Sequence, residues 1–211
     1  MWREKPVRTH LLAAAALALT IAGCALWSRP LVPVRYYAIE PPGTAPKAGV
    51  QPADAVLAVR SLASASRYRE RILFRKGGLA AGYHDSDRWL EPPAEMVTAV
   101  VRRTLDGAGV ARVVADDHLV RRPDFVLEGR LTRFDEAQRH DAWLAECELE
   151  LVLKQGEDGA VLLSARFAAS REAKAKSTPA FVEAMNAAVA DVAAQTAAAV
   201  ARTIAARKPG K

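Results

Sequence analysis

The clearest pattern along the chain is strict alternation. Trp143, Ala145, Cys147, Leu149, Leu151 and Leu153 alternate with Glu146, Glu148, Glu150 and Lys154. Val161, Leu163, Ala165, Phe167 and Ala169 alternate with Ser164, Arg166 and Ser170. A period of two sends successive side chains to opposite faces of a strand, so both stretches predict half-buried strands. Gln155, Gly156, Glu157, Asp158 and Gly159 join them as a hairpin. A third long strand places Phe125, Leu127 and Leu131 on one face and Glu128 and Arg130 on the other. Shorter strands are predicted at 35–39, 55–62, 71–75, 80–84 and 110–114, with Gly77 and Gly78 as a tight turn between the third and fourth of these.

Two stretches change to a helical period. Met96, Val97, Val100, Val101 and Thr104 follow Pro92 and Pro93, and Gly107 and Gly109 end the run. Phe181, Val182, Met185, Val189, Val192, Thr196 and Val200 form the stripe of a long final helix, with Thr178 as its N-cap and Pro179 as its first residue. This stripe is small and Ala-rich, which suits close packing on a sheet. Strands, a helix, further strands and a second helix predict an α/β protein, a single mixed sheet with flanking helices. No internal repeat and no second-domain boundary is visible in residues 35–207.

The first residues change the picture. Arg3, Lys5 and Arg8 face one acid, Glu4, and residues 11–21 contain only Leu, Ala, Ile and Thr. A basic start, a short apolar run and small residues before a cut define a secretory signal peptide. The run is too short for a transmembrane helix, which needs about 20 apolar residues. Ile21-Ala22-Gly23-Cys24 resembles a lipobox. That resemblance implies a diacylglycerol on the Cys24 thiol, cleavage before Cys24, and acylation of the new amine. The expected organisation is a signal peptide at 1–23, a lipidated tether at 24–34, one domain at 35–207 and a polar tail at 208–211. One acyl chain binds a membrane only marginally, whereas several anchor firmly. Residue 25 is Ala, not the Asp that retains such proteins in the inner membrane, so the sorting rule implies the outer membrane with the body facing the periplasm.

Charge and cysteine content narrow the function. Removing residues 1–23 takes away three bases and one acid, so the net charge of +6 (30 bases, 24 acids) becomes +4. The charges are interspersed, which argues against a nucleic-acid partner. With Cys24 lipidated, Cys147 has no disulfide partner, and its place on an apolar face makes it a core residue. There is no G-x-S-x-G elbow, no phosphate-binding loop and no C-x-x-C. The chain is therefore expected to be no enzyme, to hold no metal, and to carry no cofactor beyond the covalent lipid. His84, Asp85, Ser86 and Asp87 are consecutive and read as a solvated turn; His118 and His140 lie beside Asp residues in loops. Two clusters are candidate contacts. Arg67, Arg69, Arg71 and Arg75, with Tyr68 and Lys76, form a basic segment suited to lipid head groups or an acidic partner, or simply a solvated sheet edge. Trp89, just before the first helix, is either a hydrophobic plug or a docking residue.

Four motifs, in order, carry a wider resemblance: Tyr36-Tyr37-Ala38-Ile39 after the lipobox, Val56-Leu57-Ala58-Val59, Arg88-Trp89-Leu90-Glu91-Pro92, and the stretch from Asp124-Phe125-Val126-Leu127 to Phe134-Asp135. Together with the segment from Tyr68 to Arg75, they resemble the auxiliary lipoprotein component of ABC-type transport systems, the family that includes paraquat-inducible protein C. Pro93 departs from the usual leucine. The resemblance implies a fold similar to the N-terminal domain of TolB. It also implies an MCE-domain protein and an ABC permease and ATPase as partners, a possible homo-oligomer, and transport of phospholipid or other hydrophobic molecules between membranes. The alternative is a general envelope scaffold or assembly lipoprotein.

Overall fold

The last three strand predictions become the backbone of the architecture. The computed structural model describes residues 32–40, 52–156 and 159–207. The expected signal peptide, Cys24, most of the tether, residues 41–51, two residues of the last hairpin turn and the polar tail lie outside the described residues. The described elements all belong to one compact unit that begins at Val34.

Its strands are β1 (Arg35–Tyr37), β2 (Ala53–Val59), β3 (Ala63–Ser64), β4 (Arg71–Lys76), β5 (Ala80–Trp89), β6 (Ala111–Asp116), β7 (Phe125–Gln138), β8 (Trp143–Gln155) and β9 (Val161–Glu172). Helix α1 is Pro93–Gly107 and α2 is Thr178–Ala205. All nine strands belong to one mixed sheet. β7 is its spine: antiparallel β8 and then β9 extend from one edge. The other edge takes three parallel partners in turn, β2 at Phe125–Leu127, β3 at Arg130 and Leu131, and β4 at Glu136–Gln138. β6 lies outside β2, while β5 and then β1 lie outside β4.

The apolar face predicted for β8 is buried from Ala145 to Leu153 and half-buried at Trp143; α2 packs on β8 and β9, α1 on β6 and β7, and the two helices pack on each other. Leu127 and Leu131 point into this core, yet so does Phe134, which has the opposite parity. The reason is a bulge: Leu131 lies opposite Leu149 and Arg133 opposite Glu148, so Thr132 is an extra residue in β7. One extra residue reverses the facing of everything after it. The Thr132 hydroxyl sits 3.1 Å from the Glu148 carbonyl oxygen and 2.8 Å from its carboxylate, which occupies the unpaired position.

Two boundaries differ from expectation. Ser177, not Thr178, caps α2: its hydroxyl accepts from the Ala180 amide at 3.4 Å, and Thr178 is the first helical residue. Residues 84–87 are not a turn, because β5 runs on to Trp89. Arg71 pairs with Arg88 but Leu73 with Tyr83, so two steps along β4 match five along β5. This wide bulge brings His84 and Asp87 to the same side.

Candidate functional site at the β4, β5 and β7 end of the sheet

Asp135 and Glu136 are adjacent in β7, both 0% exposed, and as neighbours on a strand they face opposite sides of the sheet. A buried carboxylate is costly unless hydrogen bonds and charge satisfy it, and each is met by a different set of partners. On one side Asp135 accepts from the Tyr68 hydroxyl at 3.1 Å and from Arg75 Nε at 2.5 Å. On the helix side Glu136 meets His84 Nε2 at 3.2 Å and accepts from the Gln138 amide at 2.6 Å.

His84 links Glu136 to a second buried acid. Asp87 receives the Arg35 guanidinium as a two-pronged fork, at 2.7 and 3.0 Å, and the Thr178 hydroxyl at 2.7 Å. His84 Nδ1 lies 3.4 Å from that same hydroxyl. Burial works to raise the Asp87 carboxyl, but the hydrogen bonds from Arg35 and Thr178 and the neighbouring positive charge outweigh it and hold it below its ordinary value. One network thus ties the first residue of β1, the bulge of β5, the spine β7 and the first residue of α2. A histidine, a hydroxyl and two carboxylates converge here, as in a hydrolase, but the hydroxyl donates to Asp87 and Thr178 is buried. In a catalytic triad the imidazole takes the proton of an accessible hydroxyl. Among the described residues, no group of three or more His, Cys, Asp and Glu side chains is placed to hold a metal ion.

The residues singled out in the sequence separate here. Arg67, Arg69 and Arg71 are exposed. Arg67 lies 4.8 Å over the Tyr68 ring and Arg71 4.8 Å over the Tyr83 ring, while the Tyr83 hydroxyl donates to the Arg67 carbonyl. These residues form one cationic patch stiffened by cation–π contact. Arg75 belongs instead to the Asp135 pair. Trp89 is only 1% exposed, with its ring 5.2 Å from Phe134 and 6.1 Å from Phe181. It is the plug, not a docking residue, since almost none of its surface is left for a partner. Leu90, 60% exposed, plays no part in that plug. His118 and His140 are exposed. Cys147 is buried, and burial with the charge of Glu148 pushes its thiol up to about 12.

Tyr68, Arg75, Trp89 and the Phe134-Asp135 pair come from separate segments of the chain and meet in this one region. A family model described as ABC-type transport auxiliary lipoprotein component matches residues 37–197. The chain belongs to that family. Its members are lipoproteins auxiliary to ABC-type transport, a class anchored to membranes of the cell envelope. A search of curated proteins finds no match. A crystal structure of a Xanthomonas campestris protein of family DUF330 is similar, with a TM-score of 0.72 and 21% identity over 80% of this chain and 96% of that one. A second crystal structure, of an uncharacterized protein, has a TM-score of 0.62 and 14% identity over 82% and 99%. At these identities the likeness concerns the fold, and it extends over nearly the whole of both solved chains.

Proposed function

We propose that this member of the family is the non-catalytic docking subunit of an ABC/MCE-type system that moves lipid between membranes. In this reading lipid on Cys24 anchors it to the outer membrane, and the domain faces the periplasm. Its partners are an MCE-domain protein and, through it, an ABC permease and ATPase, and the domain acts without a cofactor, as a homo-oligomer. The observation that carries the reading is the family match, which spans both the sheet and most of α2. A non-catalytic role agrees with the side chains: among the described residues, the convergence of histidine, hydroxyl and acids is consumed in holding β1, β5, β7 and α2 together.

Arg67, Arg69 and Arg71 provide the partner surface. They are exposed, of one sign, and held beside two tyrosines, the composition of an interface that binds an acidic face. Crosslinking in cells followed by mass spectrometry tests the proposal. Recovery of an MCE-domain protein, lost when Arg69→Glu and Arg71→Glu are combined, is the expected result. Recovery of envelope assembly machinery without an MCE protein would transfer the role to a general scaffold. The anchor is tested separately, since Cys24→Ser should abolish fatty-acid labelling and release the domain from the outer membrane.

A further inference from the structure

The end of the sheet that carries the β4–β5 turn also holds a basic cleft of about 800 Å³. Arg75, Lys76, Arg133, Arg139 and Lys176 line it together with Trp143. Glu146 is the one acid in the lining, and it is occupied by Arg133 at 2.9 Å and Arg139 at 3.1 Å. Arg75 is likewise committed to Asp135. Lys76 and Lys176 face no carboxylate among the described residues; Lys176 only donates to the His140 carbonyl, at 3.4 Å. Five cations meet one acid in the lining, and Asp135 behind it compensates Arg75, so three positive charges are left uncompensated. An excess of guanidinium and ammonium donors over acids around one cleft suits an anion.

Two further features restrict the anion. Gly77 and Gly78 form the β4–β5 turn at positive φ, +61° and +83°, and the next residue, Leu79, is 99% exposed. A leucine wholly in water at the tip of a turn, on the rim of a cationic cleft, has the amphipathic composition that meets a membrane interface. Trp143 adds an amphipathic ring on the cleft wall, a residue type suited to the headgroup level.

We propose that this cleft binds the phosphate of an anionic phospholipid headgroup, with Lys76 and Lys176 as the free cations and Leu79 inserted beside the acyl chains. The inference rests on the cleft alone. It survives if the MCE assignment fails, and it fails or stands separately from the Arg69 and Arg71 test. The mature lipoprotein, purified in nonionic detergent, is titrated with dihexanoyl phosphatidylglycerol, dihexanoyl phosphatidylcholine and inorganic phosphate, with calorimetry as the readout. Phosphatidylglycerol should bind about tenfold more tightly than either of the others. Lys76→Glu combined with Lys176→Glu should abolish that preference while the thermal melt stays unchanged, both side chains being exposed. Leu79→Ser should weaken phosphatidylglycerol and leave inorganic phosphate unaffected. Equal binding of the two lipids, inorganic phosphate binding as tightly as phosphatidylglycerol, or a preference that survives the double charge reversal would each overturn the proposal. Loss of a protein crosslink in that variant without any lipid preference in the parent would do the same, and would assign the cleft to an acidic protein surface.

Discussion

Replacing Trp89 by alanine separates a structural keystone from a binding residue. The ring is 1% exposed and packs edge-on against Phe134 and obliquely against Phe181. An aromatic side chain of this kind buries about 150–250 Å². At about 25 cal/mol per Å² that is roughly 4–6 kcal/mol of transfer free energy, an upper bound because the unfolded chain already hides part of its surface. Truncations of buried aromatics in well-packed cores cost about 3–5 kcal/mol. The expected loss for Trp89→Ala is therefore about 4 kcal/mol, set against a total stability of about 5–15 kcal/mol for a domain. With a urea slope of about 2–3 kcal/mol per molar, the unfolding midpoint should fall by roughly 1.5–2 M. Trp89→Phe keeps a ring between Phe134 and Phe181 and should lose less than half as much. Urea titration followed by far-ultraviolet circular dichroism measures both. Under native conditions the folded fraction of Trp89→Ala should still crosslink its partners. A midpoint shift under about 0.5 M, or wild-type stability with lost crosslinking, would refute the placement of this ring in the core.

Three other outcomes follow from individual side chains. Asp87 is held below its ordinary value because Arg35, Thr178 and the local charge outweigh its burial; Glu128 is also lowered, by its bond to Lys154 and, against burial, by Arg60. A carboxyl lowered on folding adds stability that is complete above its unfolded value of about 4 and is lost as pH falls through the folded value. The melting temperature should thus drop steeply below about pH 4, and Arg35→Gln should soften that drop; an acid limb identical in the variant would remove Arg35 from the account. Cys147 should resist Ellman's reagent at pH 8 in the folded protein and react once urea unfolds it, since burial pushes the thiol up to about 12; fast labelling of the native state would contradict its burial. Gly129→Ala would place a methyl carbon 2.2 Å from the Glu150 carbonyl oxygen and 2.6 Å from Leu151 Cδ2. It should cost about 1–3 kcal/mol through displacement of β8, and an unchanged thermal melt would count against the β7–β8 register.

The parts of the fold that were legible in the sequence are those where one face is apolar without interruption. β8 and β9 pair in unbroken register from Leu144 to Leu153, and the stripe of α2 from Phe181 to Val200 has no break. Period-two reading assumes that ladder, so Thr132 concealed how β7 could bury Leu131 and Phe134 on the same face. The stretch at 84–87 is polar, and polarity alone predicts a solvated turn. Polarity in one dimension does not distinguish a side chain in water from one satisfied by a distant partner. The partners of Asp87 are Arg35, 52 residues upstream, and Thr178, 91 residues downstream. The same limit applied to Arg75, which looked like one more member of an exposed basic run and instead neutralises Asp135. The capping residue was missed by one position for a related reason: Thr178 and Ser177 both offer a hydroxyl, and only the fold shows that the threonine is taken by Asp87.

The network around Asp87 makes physical sense under the proposed anchor at Cys24. A pull from that side would reach the fold through β1, which among the described residues has three paired residues and β5 as its neighbour. Three ladder pairs at an exposed edge would fray readily. The Arg35 fork adds two charge-assisted bonds at the first of those pairs, to a carboxylate that is itself fastened to α2 through Thr178 and stands beside His84, which reaches the spine at Glu136. Load is thereby distributed from an edge strand to the three elements that carry the core. A buried carboxylate seldom stabilises more than an apolar side chain of the same shape, so Asp87, whose partner Arg35 is half exposed, is better explained by what it connects. An apolar replacement could fill the same volume, but it would not hold Arg35, and with it the point where, under the proposed anchor, the chain meets the sheet.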